Sequence, residues 1–152
     1  MDNFKEGNGL LEKEIRNVKP FPKQEELLQI PDEVFEALFG GAAYGGKTWL
    51  LTLLPLFKGW YKYSGFRGII LRMKFTDLER ENIRLSKEFY PKTGAVYNEQ
   101  KHVWEWKEYG SYMDFGHVQH AEDVRQYDSA QYNYCAFDEL THFPEAPYLY
   151  MV

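Results

Sequence analysis

An α/β fold with a mainly parallel sheet flanked by helices is predicted by two strand–helix alternations in succession and by a strand that closes on adjacent carboxylates. Val34-Phe35-Glu36-Ala37-Leu38-Phe39 reads as a short strand that runs into Gly40-Gly41, and Trp49 to Phe57 reads as the helix after it. Gly68-Ile69-Ile70-Leu71-Arg72-Met73 has the apolar continuity of a strand covered on both faces, and a second helix follows it. Successive units of this kind build parallel sheets. The third observation is Tyr134-Cys135-Ala136-Phe137, an apolar strand that delivers Asp138-Glu139.

The remaining elements follow from local signals. Pro22 suits a first helical position, Glu25 and Glu26 suit a helix N-terminus, and Leu27, Leu28 and Ile30 supply an apolar side before Pro31 ends the helix. Pro55 lies within the Trp49 to Phe57 segment and is expected to kink or split that helix. Thr76-Asp77-Leu78-Glu79 has the spacing of a capping box opening a helix that ends before Pro91. Val103-Trp104-Glu105-Trp106-Lys107 and Tyr112-Met113-Asp114-Phe115 flank a Tyr109-Gly110-Ser111 turn, which predicts an inserted β-hairpin with the Trp pair in the core. A short helix is expected from about Ala121 to Tyr127.

Composition bounds the possibilities. The 152 residues, 44% apolar and 18% aromatic, suffice for one domain with a substantial core, assigned to 21–152. Residues 1–20, polar with Gly7 and Gly9, read as a mobile arm. The net charge of −5 argues against a generic phosphate-backbone binder, so any nucleic-acid contact must come from a local patch. The N-terminus lacks the apolar core of a signal peptide, and Trp49 to Phe57 is too short to span a bilayer, so the expectation is a soluble protein without membrane attachment. Cys135 has no partner for a disulfide and reads as a small buried hydrophobe.

Gly41-Ala42-Ala43-Tyr44-Gly45-Gly46-Lys47-Thr48 fits G-x-x-x-x-G-K-[ST], between an expected strand and an expected helix. Glycines let the backbone curl so that successive N–H groups face a phosphate, and the helix N-terminus adds its positive end. Lys47 would contact the β- and γ-phosphates and the Thr48 hydroxyl would ligate Mg²⁺. The plainer reading is a glycine-rich turn that caps a helix by coincidence, and two fixed glycines with Lys and Ser/Thr arise by chance in only on the order of one chain in a hundred of this length. The fold expectation is therefore a P-loop NTPase, with ATP and Mg²⁺ as ligands.

In an open α/β sheet the ligand sits beyond the carboxyl ends of the strands, where the P-loop and Asp138-Glu139 would both lie. Asp138 would hold Mg²⁺ through its water shell, and Glu139 would orient or deprotonate the attacking water. An apolar strand closed by two acids is often only a solvated turn; the P-loop upstream gives this pair its chemistry. A second carboxylate at that point suits P-loop enzymes that activate water, so hydrolysis is the expected reaction.

Around these motifs the chain resembles the ATPase domain of large terminase subunits, the DNA-packaging motors of tailed bacteriophages. Three stretches carry the resemblance: Phe39 through Thr48; Ile70-Leu71-Arg72-Met73 with Asp77-Leu78-Glu79; and Phe115-Gly116-His117 through Tyr134-Cys135-Ala136-Phe137-Asp138-Glu139-Leu140-Thr141-His142-Phe143.

The resemblance implies an adenine-reading role for Gln24, whose amide has one donor and one acceptor to pair with the N6 and N7 edge. It also implies ATP-driven translocation of double-stranded DNA into a procapsid by a homo-oligomeric ring, with a portal protein and a small terminase subunit as partners, in the bacterial host cytoplasm. Many family members carry an arginine within the P-loop, where this chain has Ala43 and Tyr44. Arg72, Arg80 and Arg125 are the candidates to replace it at the γ-phosphate, with Arg72 preferred for its place at a strand end. The family's ATPase domains continue with a further central strand and a coupling motif, then a nuclease domain. This chain stops at Val152, so the expectation is a truncated piece, incomplete at the C-terminus and without the nuclease domain, that hydrolyses little ATP by itself. Another DNA-dependent P-loop ATPase of helicase type and a non-catalytic nucleotide-binding fragment are the alternatives. His117, His120 and His142 lack the companion ligands of a metal site and are expected to be ordinary histidines.

Overall fold

The computed structural model describes residues 20–40 and 46–151, which fall in two units, 1–45 and 46–152. The expected mobile arm, apart from Pro20, and the loop residues Gly41, Ala42, Ala43, Tyr44 and Gly45 lie outside the described residues.

In the first unit, α1 (Pro22–Leu28) starts where Pro22 presets the helical φ. The Phe21 N–H donates to Gln24 Oε1 at 2.8 Å, which caps the first turn. The strand expected at Val34–Phe39 does not form. That segment follows a turn in which the Val34 N–H donates to Pro31 O, and it carries Phe35 and Leu38 each 83% exposed. Strand propensity records packing on a sheet rather than a backbone preference, and no strand is assigned to this segment.

The second unit is built on one sheet: β1 (Arg67–Arg72), β2 (Val96–Asn98), β3 (Val103–Trp106), β4 (Ser111–His117) and β5 (Tyr134–Phe137). Their spatial order is β2-β3-β4-β1-β5. β1 runs parallel to both β4 and β5, whereas β2-β3 and β3-β4 are antiparallel. The sheet is therefore mixed, not mainly parallel as expected. The reason lies in the hairpin, which is not an insertion: β4 is an inner strand, paired to β1 in register from Arg67↔Tyr112 to Arg72↔His117.

Alternation along β1 sorts the core. Ile69 and Leu71 face a cluster with Val118, against which Tyr127, Tyr132, Cys135, Phe137, Phe143 and Met151 pack. The short 3₁₀ segment Ala121–Tyr127 and α5 (Glu145–Met151) contribute to this layer, and β4 admits the ring of Tyr127 because Gly116 has no Cβ to meet it. Gly68, Ile70 and Arg72 point to the opposite face. There lie α2 (Lys47–Phe57), α3 (Phe75–Leu78), a π-helical turn at Glu79–Ile83, and α4 (Arg84–Phe89). Trp104 and Trp106 are buried as expected, and their indole N–H groups donate to Ser86 Oγ at 2.8 Å and Thr93 Oγ1 at 2.7 Å.

Two expectations about helices are corrected. The Thr76 capping box is not the helix start: α3 begins at Phe75 behind an extended Lys74, so Thr76 is already inside it. Pro55 neither splits nor ends α2, which continues to Phe57. Proline at 55 cannot donate to the carbonyl of Leu51, and the Tyr134 hydroxyl does so instead, at 2.8 Å.

Candidate functional site

The site forms where β1 and β5 end. Alternation along β5 places Tyr134 and Ala136 on the α2 side and Cys135 and Phe137 on the other. The Asp138 N–H donates to Leu71 O at 3.0 Å, extending the parallel ladder one residue beyond Phe137, so the Asp138 side chain turns back to the α2 side. It is 1% exposed. Arg72, the last residue of β1, points to the same face.

The two side chains meet as a buried ion pair. Arg72 Nε and Nη2 both donate to Asp138 Oδ2, at 2.9 and 2.7 Å. The same Nη2 donates to Thr48 Oγ1 at 3.1 Å. Thr48 owes its place to Gly46, whose left-handed φ of 67° precedes the first turn of α2 at Lys47. A residue with a Cβ would be strained there by roughly 1–2 kcal/mol. Thr48 and Asp138, separated by 90 positions in the chain, thus converge on one guanidinium nitrogen.

A second polar layer supports the pair. Asn82 Nδ2 donates to Asp138 Oδ2 at 3.2 Å and to Thr52 Oγ1 at 3.1 Å, and the Thr52 hydroxyl donates to Thr48 O at 2.7 Å. Asn82 and Thr52 are fully buried. Asn82 Oδ1 has no hydrogen-bond partner among the described residues.

Glu139 differs from its neighbour in every respect. It is exposed, and its φ of 59° lies in the left-handed region, where a non-glycine residue costs roughly 1–3 kcal/mol. The chain turns at this residue into a short 3₁₀ segment, Leu140–His142. One carboxylate is therefore fixed inside the site, and the next stands in solvent beside it.

Of the expected site residues, the structure brings together Thr48, Arg72 and Asp138, with Lys47 preceding Thr48 and Glu139 following Asp138. Gln24 belongs to the other unit, where its Oε1 serves the α1 N-terminus. Arg80 and Arg125 are exposed, and among the described residues neither side chain hydrogen-bonds to the Arg72 cluster; the Arg80 carbonyl accepts from Arg84 Nε. Asn82 and Thr52 are site residues that the motifs do not include. The signal for Asn82 is a polar residue four positions after Leu78 and four before Ser86, on the helical side that also buries Ile83 and Phe89. Thr52 lies one helical turn after Thr48.

The oxygens gathered here are a hydroxyl and a carboxylate, hard donors of the type Mg²⁺ takes when water and phosphate complete its octahedron. That they already surround a cationic nitrogen fits such an ion. Among the described residues no group of three or more His, Cys, Asp or Glu is arranged to hold a metal. His102 and His117 instead flank Phe75, with ring centroids 4.5 and 5.8 Å from it, and His120 and His142 are exposed. Backbone N–H groups of His120 and Gln119 donate to Asp123 and hold its carboxyl below the usual range. Burial pushes the Cys135 thiol up to about 12, so it remains protonated and unreactive at neutral pH. A shallow depression of about 400 Å³ at Val96–Gln100 lies at the opposite edge of the sheet from β5. Among the described residues no helix is long and apolar enough to cross a membrane.

Compared with known proteins, the chain matches no protein-family model, no curated protein and no solved structure.

Proposed function

We propose that this chain binds ATP with Mg²⁺ and belongs to an ATP-hydrolysing P-loop motor of the large terminase subunit type, which drives double-stranded DNA into a procapsid. One observation carries the nucleotide-binding part: the hydroxyl of Thr48 and the carboxylate of Asp138 share the Nη2 atom of Arg72. That is the pairing a G-K-T loop and an acidic strand end need if a single cation is to bridge them. The motor, its DNA, portal and small-subunit partners and the ring rest on the motif resemblance alone.

Mg²⁺, when bound, would supply charge neutralisation and polarisation to the phosphoryl groups. The residues of the chain do the rest. Gly46 opens the turn that presents the amide groups of Lys47 and Thr48, and Lys47 holds the terminal phosphates as a point charge. Asp138 and the Thr48 hydroxyl would hold the cation. Glu139, in solvent at the mouth of the site, takes the proton from a water as its oxygen attacks the γ-phosphorus and the bond to ADP breaks. Arg72 shifts from Thr48 and Asp138 toward the developing charge on the γ-phosphoryl group. A role for Gln24 at adenine comes from the motif resemblance alone.

The test is equilibrium titration of the chain with a fluorescent ATP analogue in Mg²⁺, with ATP turnover measured in parallel. Lys47→Ala should weaken binding at least tenfold, while Glu139→Gln should bind normally and hydrolyse less than the native chain. Little turnover by the isolated native chain is expected. Equal affinity in native protein and Lys47→Ala, or equal robust turnover in all three proteins, would overturn the reading. Normal binding with no turnover beyond that of Glu139→Gln, even with added double-stranded DNA, would leave a nucleotide-binding module.

A further inference from the structure

We propose that Asn82 is a positioning residue for Asp138, setting the orientation of its carboxylate toward the nucleotide-bound cation; the inference rests on the nucleotide-binding reading above. Asp138 Oδ2 is gripped from two layers at once. Arg72 reaches it from the sheet with two N–H groups, and Asn82 Nδ2 reaches it from the helical layer at 3.2 Å. The second Nδ2 hydrogen goes to Thr52 Oγ1 at 3.1 Å, and Thr52 passes its own proton to Thr48 O at 2.7 Å. An unbroken run of hydrogen bonds therefore ties the backbone of the first α2 turn to the carboxylate at the end of β5.

The direction of that run is fixed. Thr52 has a single hydroxyl proton, already given to Thr48 O, so Oγ1 is an acceptor toward Asn82, and the Asp138 carboxylate is an acceptor as well. A flipped amide would set Oδ1 against both acceptors. The amide consequently keeps its donor end on the site although Oδ1 is left buried without a partner among the described residues. Asn82 also sits in the π-helical turn Glu79–Ile83, a backbone irregularity that recurs at functional positions because the extra residue re-aims a side chain. Arg72 is needed at the phosphate in the proposed reaction. Once it leaves, Asn82 is the remaining described donor on Oδ2 and preserves the orientation that two groups held before.

A structural role alone would show as lost stability; a positioning role shows in how strongly Mg²⁺ improves nucleotide binding. A fluorescent ATP analogue would be titrated in Mg²⁺ and in EDTA against the native chain, Asn82→Leu and Thr52→Val, with thermal midpoints recorded for each. Outer partners of metal-orienting groups typically control metal affinity by about 10–100-fold. Asn82→Leu should keep the EDTA affinity and lose about tenfold of the Mg²⁺-dependent gain, and Thr52→Val should lose part of it. A folded Asn82→Leu with the native Mg²⁺ gain overturns the proposal, as does a native gain in Thr52→Val if Asn82→Leu does not fold. Absence of nucleotide binding by the native chain would instead overturn the reading beneath it.

Discussion

Arg72 grips one oxygen of Asp138 with both Nε and Nη2, at 2.9 and 2.7 Å, in a setting where the side chains are 10% and 1% exposed. The last residue of β1 and the first after β5 are thereby joined across two parallel strands. Such a pair contributes little net stability compared with apolar residues, because both ions were taken from water. Its loss on one side only is a different matter, since a buried carboxylate is then left to Asn82.

Arg72→Ala should therefore cost about 3–5 kcal/mol by urea unfolding. Adding Asp138→Asn removes the stranded charge and should return a large part of that loss. Arg72→Lys should fall between native protein and Arg72→Ala, since an ammonium cannot donate from two positions of a planar fork. Additive costs for Arg72→Ala and Asp138→Asn would show that the pair is not coupled.

Glu139→Gly separates stability from function. The φ of 59° suits glycine and strains glutamate, so the substitution should stabilise the protein by about 1 kcal/mol in thermal or urea unfolding. It should also remove any ATP turnover the native protein shows. A fall in stability would mean that the Glu139 side chain holds the turn by itself.

The sequence made the ends of this site legible and hid its middle. Gly46-Lys47-Thr48 and Asp138-Glu139 could be read because phosphate and metal chemistry demands those residue types in order. Asn82 and Thr52 carry no such signature, and their importance appears only when two helices and two strands come together. Val34–Phe39 departs from expectation for the opposite reason: its composition suits a strand, but a strand exists only as a member of a sheet, and the segment forms none. The hairpin at 103–117 was recognised locally, yet its second strand turned out to be the parallel neighbour of β1. That pairing spans 45 positions, from Arg67 to Tyr112, and local alternation says nothing of it.

Stability should fall at alkaline pH through thiol and phenol groups that desolvation holds above their ordinary values, Cys135, Tyr90 and Tyr134 among them. Burial pushes the Cys135 thiol from an ordinary value of 9.0 up to about 12, and raises the Tyr90 and Tyr134 hydroxyls well above theirs. The folded chain keeps these protons while the unfolded chain releases them, so stability is fully present below about pH 9 and declines as pH rises above it. The urea midpoint should hold between pH 7 and about 8.5 and drop steadily from there to pH 11. Cys135→Ala should delay the onset toward the ordinary tyrosine range. A midpoint that does not change up to pH 11 would contradict the burial of these groups.

Tyr134 and Pro55 offer the sharpest test of how α2 is attached to the sheet. Pro55 has no N–H for the Leu51 carbonyl, and the Tyr134 hydroxyl, protonated because of its burial, donates to that oxygen at 2.8 Å. Tyr134→Phe keeps the ring and removes the donor, which should cost about 1–3 kcal/mol for an acceptor left unpaired. In Pro55→Ala the helix can supply its own N–H at position 55, so the hydroxyl becomes redundant and its removal should cost less than half as much. The four proteins form a double-mutant cycle, with a coupling of about 1 kcal/mol expected between positions 134 and 55. If Tyr134→Phe cost the same with proline and with alanine at 55, the hydroxyl would not be acting as the replacement for the missing helical donor. The Tyr134 ring would then be held by packing alone, such as its 5.5 Å approach to the ring of Trp60 in the segment that follows α2.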